Sequence, residues 1–531
     1  MKHSVRSMYD AAGVSIVGNI AYLSNKQMPR QSLGKLAKWL PFEPWFVEIS
    51  RGMGLTPLKG DWKAGWMALE TLHLVMRNSG SLWISEDDPF RLLAQKGEPE
   101  WMNRLPAFAK RYIRSSYAST EGMNPLAIVP KFPYMGFGYI IPDSGLANDA
   151  VQTFHLMRLA GIKQLSFLHD PVLKEYDRSA GALMFDHTRY CHVLDTHAVA
   201  NIISANIGFD EQTRDTLLTA AITHDALTPA GGDSVKLVDP VAFDEDVHYP
   251  ELLVGGEWEE FRKRFGIDRD LLVQTIMGEG LLGRILDISD KSSYLARDVD
   301  AYLMTANPFK DARNTNYYAV ADIVTSDPYV CAVWESARRY DGSLVFGDKE
   351  RLGRFLKLRA LMFRSLYYNP FSRFFEYLVG KGVVRYLYKT GQVTREQLLR
   401  ERDEWIENKI DQVLGSYCVL RMFHNLEKSR IEEYYDVESA VKRAAEFDKD
   451  TSKIVILDDF RSSTGNGVRK FFVRDGNRAI PFAEACPRDA MEVEGIMTFA
   501  KRVRLYFFDA DDLEIPVEGR AKLKELMKSV S

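Results

Sequence analysis

Apolar positions are spaced differently in successive stretches of the chain. From about residue 151 they recur at helical intervals. Thr188 to Ile207 predicts one helix, closed by Gly208 as a residue suited to the left-handed C′ position. Glu211 to His224 predicts a second, with Leu217, Leu218, Ala221 and Ile222 on one face. Asp268 to Met277, ended by Gly278, and Arg284 to Leu303 predict two more. Residues 311–450 continue mostly helical, with long amphipathic stretches at Glu396–Leu414 and Ile431–Phe447. The last 80 or so residues change period. Lys453–Leu457 reads as a strand, and Phe471–Phe482 as a hairpin turning at Asp475-Gly476. Arg502–Phe508 alternates as a half-buried strand would.

Residues 1–150 show neither period. Pro41-Phe-Glu-Pro44 and Met135-Gly-Phe-Gly138 break the region, which holds Trp39, Trp45, Trp62, Trp66, Trp83 and Trp101. We read it as an irregular mixed layer whose aromatics are core rather than a binding platform. The expectation is therefore a mostly α protein with a small α/β C-terminal region. Its parts are an irregular N-terminal region (1–150), a helical core (151–310), a helical extension (311–450) and an α/β end (451–531).

Composition narrows the function classes. With 531 residues, 46% hydrophobic and 27% charged, the chain can bury a large core. Lys and Arg total 69 against 73 Asp and Glu, so nucleic-acid binding is not indicated. Cys191, Cys331, Cys418 and Cys486 are scattered without a C-x-x-C pair, which argues against a disulfide framework or zinc ribbon and for a cytoplasmic location. Asp10 and Asn19 bracket or interrupt the apolar stretch Ala11–Leu23, no cleavage signal follows, and no apolar run is long enough for a membrane span.

Histidines point to chemistry. Of ten, seven (His155, His169, His187, His192, His197, His224 and His248) fall between 155 and 248. Neutral imidazole is the commonest nitrogen metal ligand near neutral pH. The sharpest unit is Thr223-His224-Asp225 at a helix end, where adjacent His and Asp can aim at one point. His192 lies 32 residues upstream and Asp290 lies 65 residues beyond Asp225. A mixed nitrogen and oxygen set suits Mn²⁺, Fe²⁺, Co²⁺, Ni²⁺ or Zn²⁺ better than an ion held by oxygen alone.

The order H…HD…D resembles the HD-domain superfamily of metal-dependent phosphohydrolases. His155-Leu-Met-Arg158 with Gln164, Arg189-x-x-His192, His224-Asp225 and Asp290-Lys-x-x-Tyr-x-Ala-Arg-Asp298 together resemble its dNTP triphosphohydrolase branch. The resemblance spans about residues 150–510. It implies an HD-domain helical core in which His192, His224, Asp225 and Asp290 hold one divalent ion, with Mg²⁺ added to the candidates. It implies substrate contacts from Arg189 and Lys291 to phosphate, from Tyr294 to sugar and phosphate, and from Gln164 and Asp298 to the sugar hydroxyl. A nucleotide substrate, a nucleotide activator and a homo-oligomer are the implied partners. Arg158 reads as structural.

One departure stands out. The family follows its HD pair with histidines, as H-D-x-x-H-x-x-x-x-H, where this chain has Thr228 and Asp233. Asp233 is either a replacement general acid or the end of a Gly-Gly-Asp turn. His248 matches another family active-site histidine, or is a loop residue beside Asp244, Glu245 and Asp246. Three readings stay open: dNTP hydrolysis to deoxynucleoside and triphosphate; another HD reaction, on a nucleoside monophosphate or cyclic phosphodiester; and a nucleotide sensor without turnover. Gly278-Glu-Gly280-Leu-Leu-Gly283 fits a dinucleotide fingerprint, but it follows a helix, so it is read as a helix-to-helix turn. Lys501-Arg-Val-Arg504 is read as a solvated strand face.

Overall fold

The computed structural model describes residues 145–166, 187–305, 315–415, 430–447, 453–459 and 468–528, with breaks at 469, 477, 510 and 512–515. Nearer the N-terminus it describes four short strands, β1 (Val14–Val17), β2 (Ile20–Leu23), β3 (Pro125–Val129) and β4 (Tyr139–Pro142). The six tryptophans of the first 150 residues lie outside the described residues. The described architecture is mostly α with a small α/β part towards the C-terminus. No helix among the described residues is long and apolar enough to cross a membrane.

The organising element is a helix at the centre of the predicted core. After α1 (Gly145–Thr153) comes α2 (Arg189–Ile207), whose every residue from Arg189 to Ser204 is buried. Its ends are those the sequence predicts. The Thr188 side chain accepts from the Cys191 N–H, and Gly208, at φ 74°, donates to Ser204 O. A helix buried on all sides must satisfy its polar side chains internally. Asp195 pairs with Arg297, Thr196 Oγ1 lies 2.8 Å from Ser293 Oγ, and His197 Nδ1 donates to Leu218 O at 3.1 Å. Burial pushes His197 down to about 4, so it serves as a neutral core residue.

Helices α3 (Glu211–Thr223), α4 (Gly232–Lys236), α5 (Gly255–Phe265), α6 (Arg269–Ile276) and α7 (Gly280–Thr305) follow. Gly278 and Gly280, at φ 76° and 65°, make the turn from α6 into α7, so the glycine triplet is the expected helix-to-helix turn. With α8 (Thr315–Ser326) and α9 (Lys349–Met362), all of these helices except α4 build the first hydrophobic core around α2.

Three expectations change between residues 311 and 450. A hairpin, β5 (Ala337–Tyr340) and β6 (Ser343–Phe346), interrupts the helical extension. Its two-residue turn is Asp341-Gly342, both at positive φ, the geometry that matches strand twist. The stretch Glu396–Leu414 is two helices, α10 (Arg395–Arg400) and α11 (Asp403–Leu414). Extended backbone at Glu401 and Arg402 separates them, because amphipathic spacing continues across the elbow while a Thr394 capping box defines α10. The stretch Ile431–Phe447 is strand β7 (Arg430–Tyr434) followed by α12 (Val437–Phe447). A ladder to a distant strand holds β7, and the Asp436 carboxylate accepts the Ser439 N–H at the start of α12.

The C-terminal strands β8 (Lys453–Asp458), β9 (Phe472–Asp475), β10 (Arg478–Pro481) and β11 (Val503–Asp509) divide between two sheets. The β9–β10 hairpin, turning through Gly476 as predicted, joins β6 in parallel to give the order β10-β9-β6-β5. It packs Phe471 and Val473 into the first core. The other sheet has the order β7-β11-β8, all antiparallel. Here β11 is central and buried from Val503 to Phe508, not half-buried as its alternation suggests. Arg504 is correspondingly no solvated residue: it donates to Glu433 at 2.8 Å and to Tyr368 O at 2.6 Å. A helix on one face and core side chains on the other remove the wet face that alternation predicts. The remaining named helices are α13 (Pro487–Ala500) and α14 (Val517–Lys528).

A second core lies under the loop after α3. Val235, Val238 and Phe243 pack with Leu378, Val383 and Leu398. There Gly380, in the π-helical stretch Tyr377–Val384, runs backbone-to-backbone against Ser234.

Candidate metal centre and its surroundings

His192 sits one turn into α2, His224 follows the last residue of α3, and Asp290 lies within α7. The packing of these helices brings the three side chains together. His192 Nε2 is 3.2 Å from His224 Nε2 and 3.0 Å from Asp290 Oδ1, and His224 Nε2 is 3.7 Å from the same oxygen. These three residues could hold a metal ion. Asp225, the fourth predicted ligand, lies alongside. Its Oδ1 is 3.8 Å from His224 Nε2 and its Oδ2 is 3.8 Å from His192 Nε2.

The donor set fits a cation. His224 Nδ1 donates to Ala221 O at 3.0 Å, which leaves the Nε2 lone pair facing the cluster. His192 Nδ1 is 3.4 Å from Ser293 Oγ, so its Nε2 also faces inward. Two imidazole nitrogens 3.2 Å apart beside a carboxylate need a positive charge among them, either a proton or a metal. The electrostatics agree. Burial lowers His224, but Asp225 and Asp290 outweigh it and carry its pKa to about 9. Burial raises Asp290, but His192 and His224 hold it well below the carboxylate range.

Arg189, one turn before His192, is buried and faces the same side. It donates to Asp225 Oδ2 at 2.9 Å and to Asp233 Oδ2, while its Nε has no partner. Asp233 is half-exposed, and Lys236 Nζ holds its other oxygen at 2.9 Å. Burial would raise Asp233, yet Arg189 and Lys236 keep it below its ordinary value. Lys236 also binds Glu245 at 3.0 Å, a carboxylate that burial raises.

On the other side, the Tyr294 ring centroid is 6.4 Å from that of His192. Its hydroxyl accepts from Arg359 Nε at 2.8 Å, and burial pushes the phenol up to about 12. Lys291 pairs with Asp287 and lies over the Phe471 ring. Burial holds it below the ordinary lysine value. Asp298 is buried, accepts the Tyr367 hydroxyl at 2.5 Å and lies 2.8 Å from His187 Nε2. The Gln164 side chain is buried with Oε1 unpartnered, and the main-chain N–H of Gln164 donates to His187 O at 2.9 Å.

One predicted residue looks elsewhere. His248 gives its ring nitrogens to Glu251 at 2.6 Å and Val241 O at 3.0 Å. Arg158, read as structural, makes no site contact. It binds the carbonyls of Ala226 and Thr228, at 3.0 and 2.6 Å, and of Glu401 at 3.2 Å. Arg359, Tyr367 and Lys236 were not singled out by sequence, and His187 was named only within the histidine cluster. Lys236 lies one helical turn beyond Asp233, whereas the other three reach this region through tertiary packing.

No protein-family model matches the sequence, and no curated protein matches it. Among solved structures, a hypothetical protein from Aquifex aeolicus aligns at 17% identity with a TM-score of 0.50, covering 75% of this chain and all of that one. The two share a fold. A phosphohydrolase from Bacteroides thetaiotaomicron aligns at 14% identity with a TM-score of 0.47, covering 72% of this chain and 99% of that one.

Proposed function

We propose that this protein is an HD-type, metal-dependent phosphohydrolase acting on nucleotides, with dNTP hydrolysis to deoxynucleoside and triphosphate as its reaction. The observation that carries the reading is the convergence of His192 Nε2, His224 Nε2 and Asp290 Oδ1, with the buried guanidinium of Arg189 beside them. His192, His224, Asp290 and Asp225 would hold the ion. When bound, it would polarise a phosphoryl oxygen and acidify water. Phosphoryl transfer otherwise asks the protein mainly for positioning and charge neutralisation.

Arg189, Lys291 and Arg359 supply that neutralisation in this reading. Arg359 bonds Tyr294, whose ring neighbours His192, and Lys291 lies three residues before Tyr294 on α7. Asp298 and the unpartnered Gln164 Oε1 are buried acceptors suited to a sugar hydroxyl. We read Asp233 as the carboxylate that orients Arg189 and Lys236, because two cations favour its ionised form and a general acid needs the reverse. His248 would have to give up its bonds to Glu251 and Val241 to donate a proton. A nucleotide activator and a homo-oligomer belong to the same proposal.

Incubating purified protein with each dNTP and NTP and with Mn²⁺, Mg²⁺ or Co²⁺, then resolving the phosphate products, tests the reading. Triphosphate release is expected. Orthophosphate from monophosphates would move the reading to another HD reaction, and binding without turnover would make the protein a sensor. Asp233→Asn is expected to weaken substrate binding while leaving the alkaline limb of the pH–rate profile, where a general acid loses its proton, in place. Loss of that limb would restore Asp233 as the acid.

A further inference from the structure

Two stretches of main chain that carry candidate site residues are far apart in sequence, and a third stretch holds both. Lys163 immediately precedes Gln164, and Gly231 lies two residues before Asp233. The Lys163 N–H donates to Asp403 Oδ2 at 2.8 Å, and the Gly231 N–H donates to Asp403 Oδ1 at 2.7 Å. Asp403 is buried at the first position of α11, directly after the elbow that splits the amphipathic stretch. A buried carboxylate is tolerated when its oxygens are hydrogen-bonded, and here both are.

The elbow holds the same loop at further points. Leu398 O accepts the Ala230 N–H at 2.8 Å. Glu401 O accepts from Arg158, whose other nitrogen binds the carbonyls of Ala226 and Thr228. The main chain leading from His224-Asp225 to Asp233 is thus pinned at Ala226, Thr228, Ala230 and Gly231. Close approach of the elbow requires Gly161, where a Cβ would lie 2.9 Å from the Arg402 Cβ.

We propose that Asp403 is a positioning residue: one carboxylate, acting through two main-chain amides, sets the Gln164 side of the pocket against the Asp233 side. The proposal rests on the functional reading above for what those two sides do. Its effect on turnover follows from geometry, because misplacing a group by about 1 Å can cost on the order of a hundredfold in rate.

Asp403→Asn tests it, since the amide keeps the size but offers one acceptor oxygen to two N–H donors. Gly161→Ala displaces the elbow from the other side and leaves the carboxylate in place. The measurements are hydrogen–deuterium exchange by mass spectrometry, Mn²⁺ titration, and steady-state kinetics on the nucleotide that is turned over. Both variants are expected to raise exchange in peptides covering 226–234, leave exchange in α2 and Mn²⁺ affinity unchanged, and lower kcat/KM by about ten- to a hundredfold. Unchanged exchange across 226–234, a rise that extends into α2, or unchanged kcat/KM would each overturn the proposal. If the wild-type protein turns over no nucleotide, the functional reading fails, while the exchange and Mn²⁺ arms still decide whether Asp403 positions the loop.

Discussion

At the scale of single residues, one main-chain bond and two carboxylate neighbours suit His224 to be a ligand. Its pKa of about 9 in the metal-free protein has a definite sign. The folded state favours the protonated ring, so that stabilisation is fully present below the ordinary histidine value and is lost as pH rises through about 9. The same proton competes with a metal. Mn²⁺ affinity should therefore rise about tenfold per pH unit up to about pH 9, by release of one proton. A pH-independent affinity would contradict this. Ser293 is the support of His192, so Ser293→Ala should weaken Mn²⁺ binding by about tenfold with the fold intact. Titration monitored by calorimetry, with circular dichroism as the control, checks it. The grouping of His192, His224 and Asp290 was legible in sequence because their order and flanking motifs resemble a known pattern. Arg359 and Tyr367 were not, since only the packing of α9 and the turn after it brings them to Tyr294 and Asp298.

At the scale of elements, termini were easier to read than continuity. Thr188 and Gly208 mark the ends of α2 by capping chemistry that acts within a few residues. The elbow at Glu401–Arg402 and strand β7 escaped because their stabilising partners lie far away, at Lys163 and Gly231 for one and in β11 for the other. Two glycines separate these kinds of constraint. Gly208 has φ 74° and open space around it, so Gly208→Ala should cost about 1 kcal/mol through backbone strain alone. Gly380 has no such φ, but an added Cβ would strike Ser234 O, so Gly380→Ala should cost about 1–3 kcal/mol and disturb α4. Denaturant unfolding measures both. Equal costs, with Asp233-dependent substrate binding unaffected in Gly380→Ala, would argue against the backbone contact.

At the scale of the whole molecule, fold class could be read from the switch between helical and alternating periods, but not how the C-terminal strands are shared. The β9–β10 hairpin belongs to a sheet begun by β5–β6, more than a hundred residues earlier, and its side chains complete the core around α2. Ending the chain after residue 467 would remove Val468, Phe471, Val473 and Phe482 from that core. Each large apolar side chain contributes roughly 1.5–3 kcal/mol, so the truncated chain should not fold cooperatively. A soluble truncated protein with a sharp thermal transition would refute this.

The site also divides between the two cores. His192, His224 and Asp290 rest on helices of the first, whereas α4, which carries Asp233, packs on the second. Damage confined to the second core would leave the three residues able to hold an ion and the pocket unformed. Metal stoichiometry would then overcount working molecules in any aged or nicked preparation, and titration of active sites would be the sounder gauge of its quality.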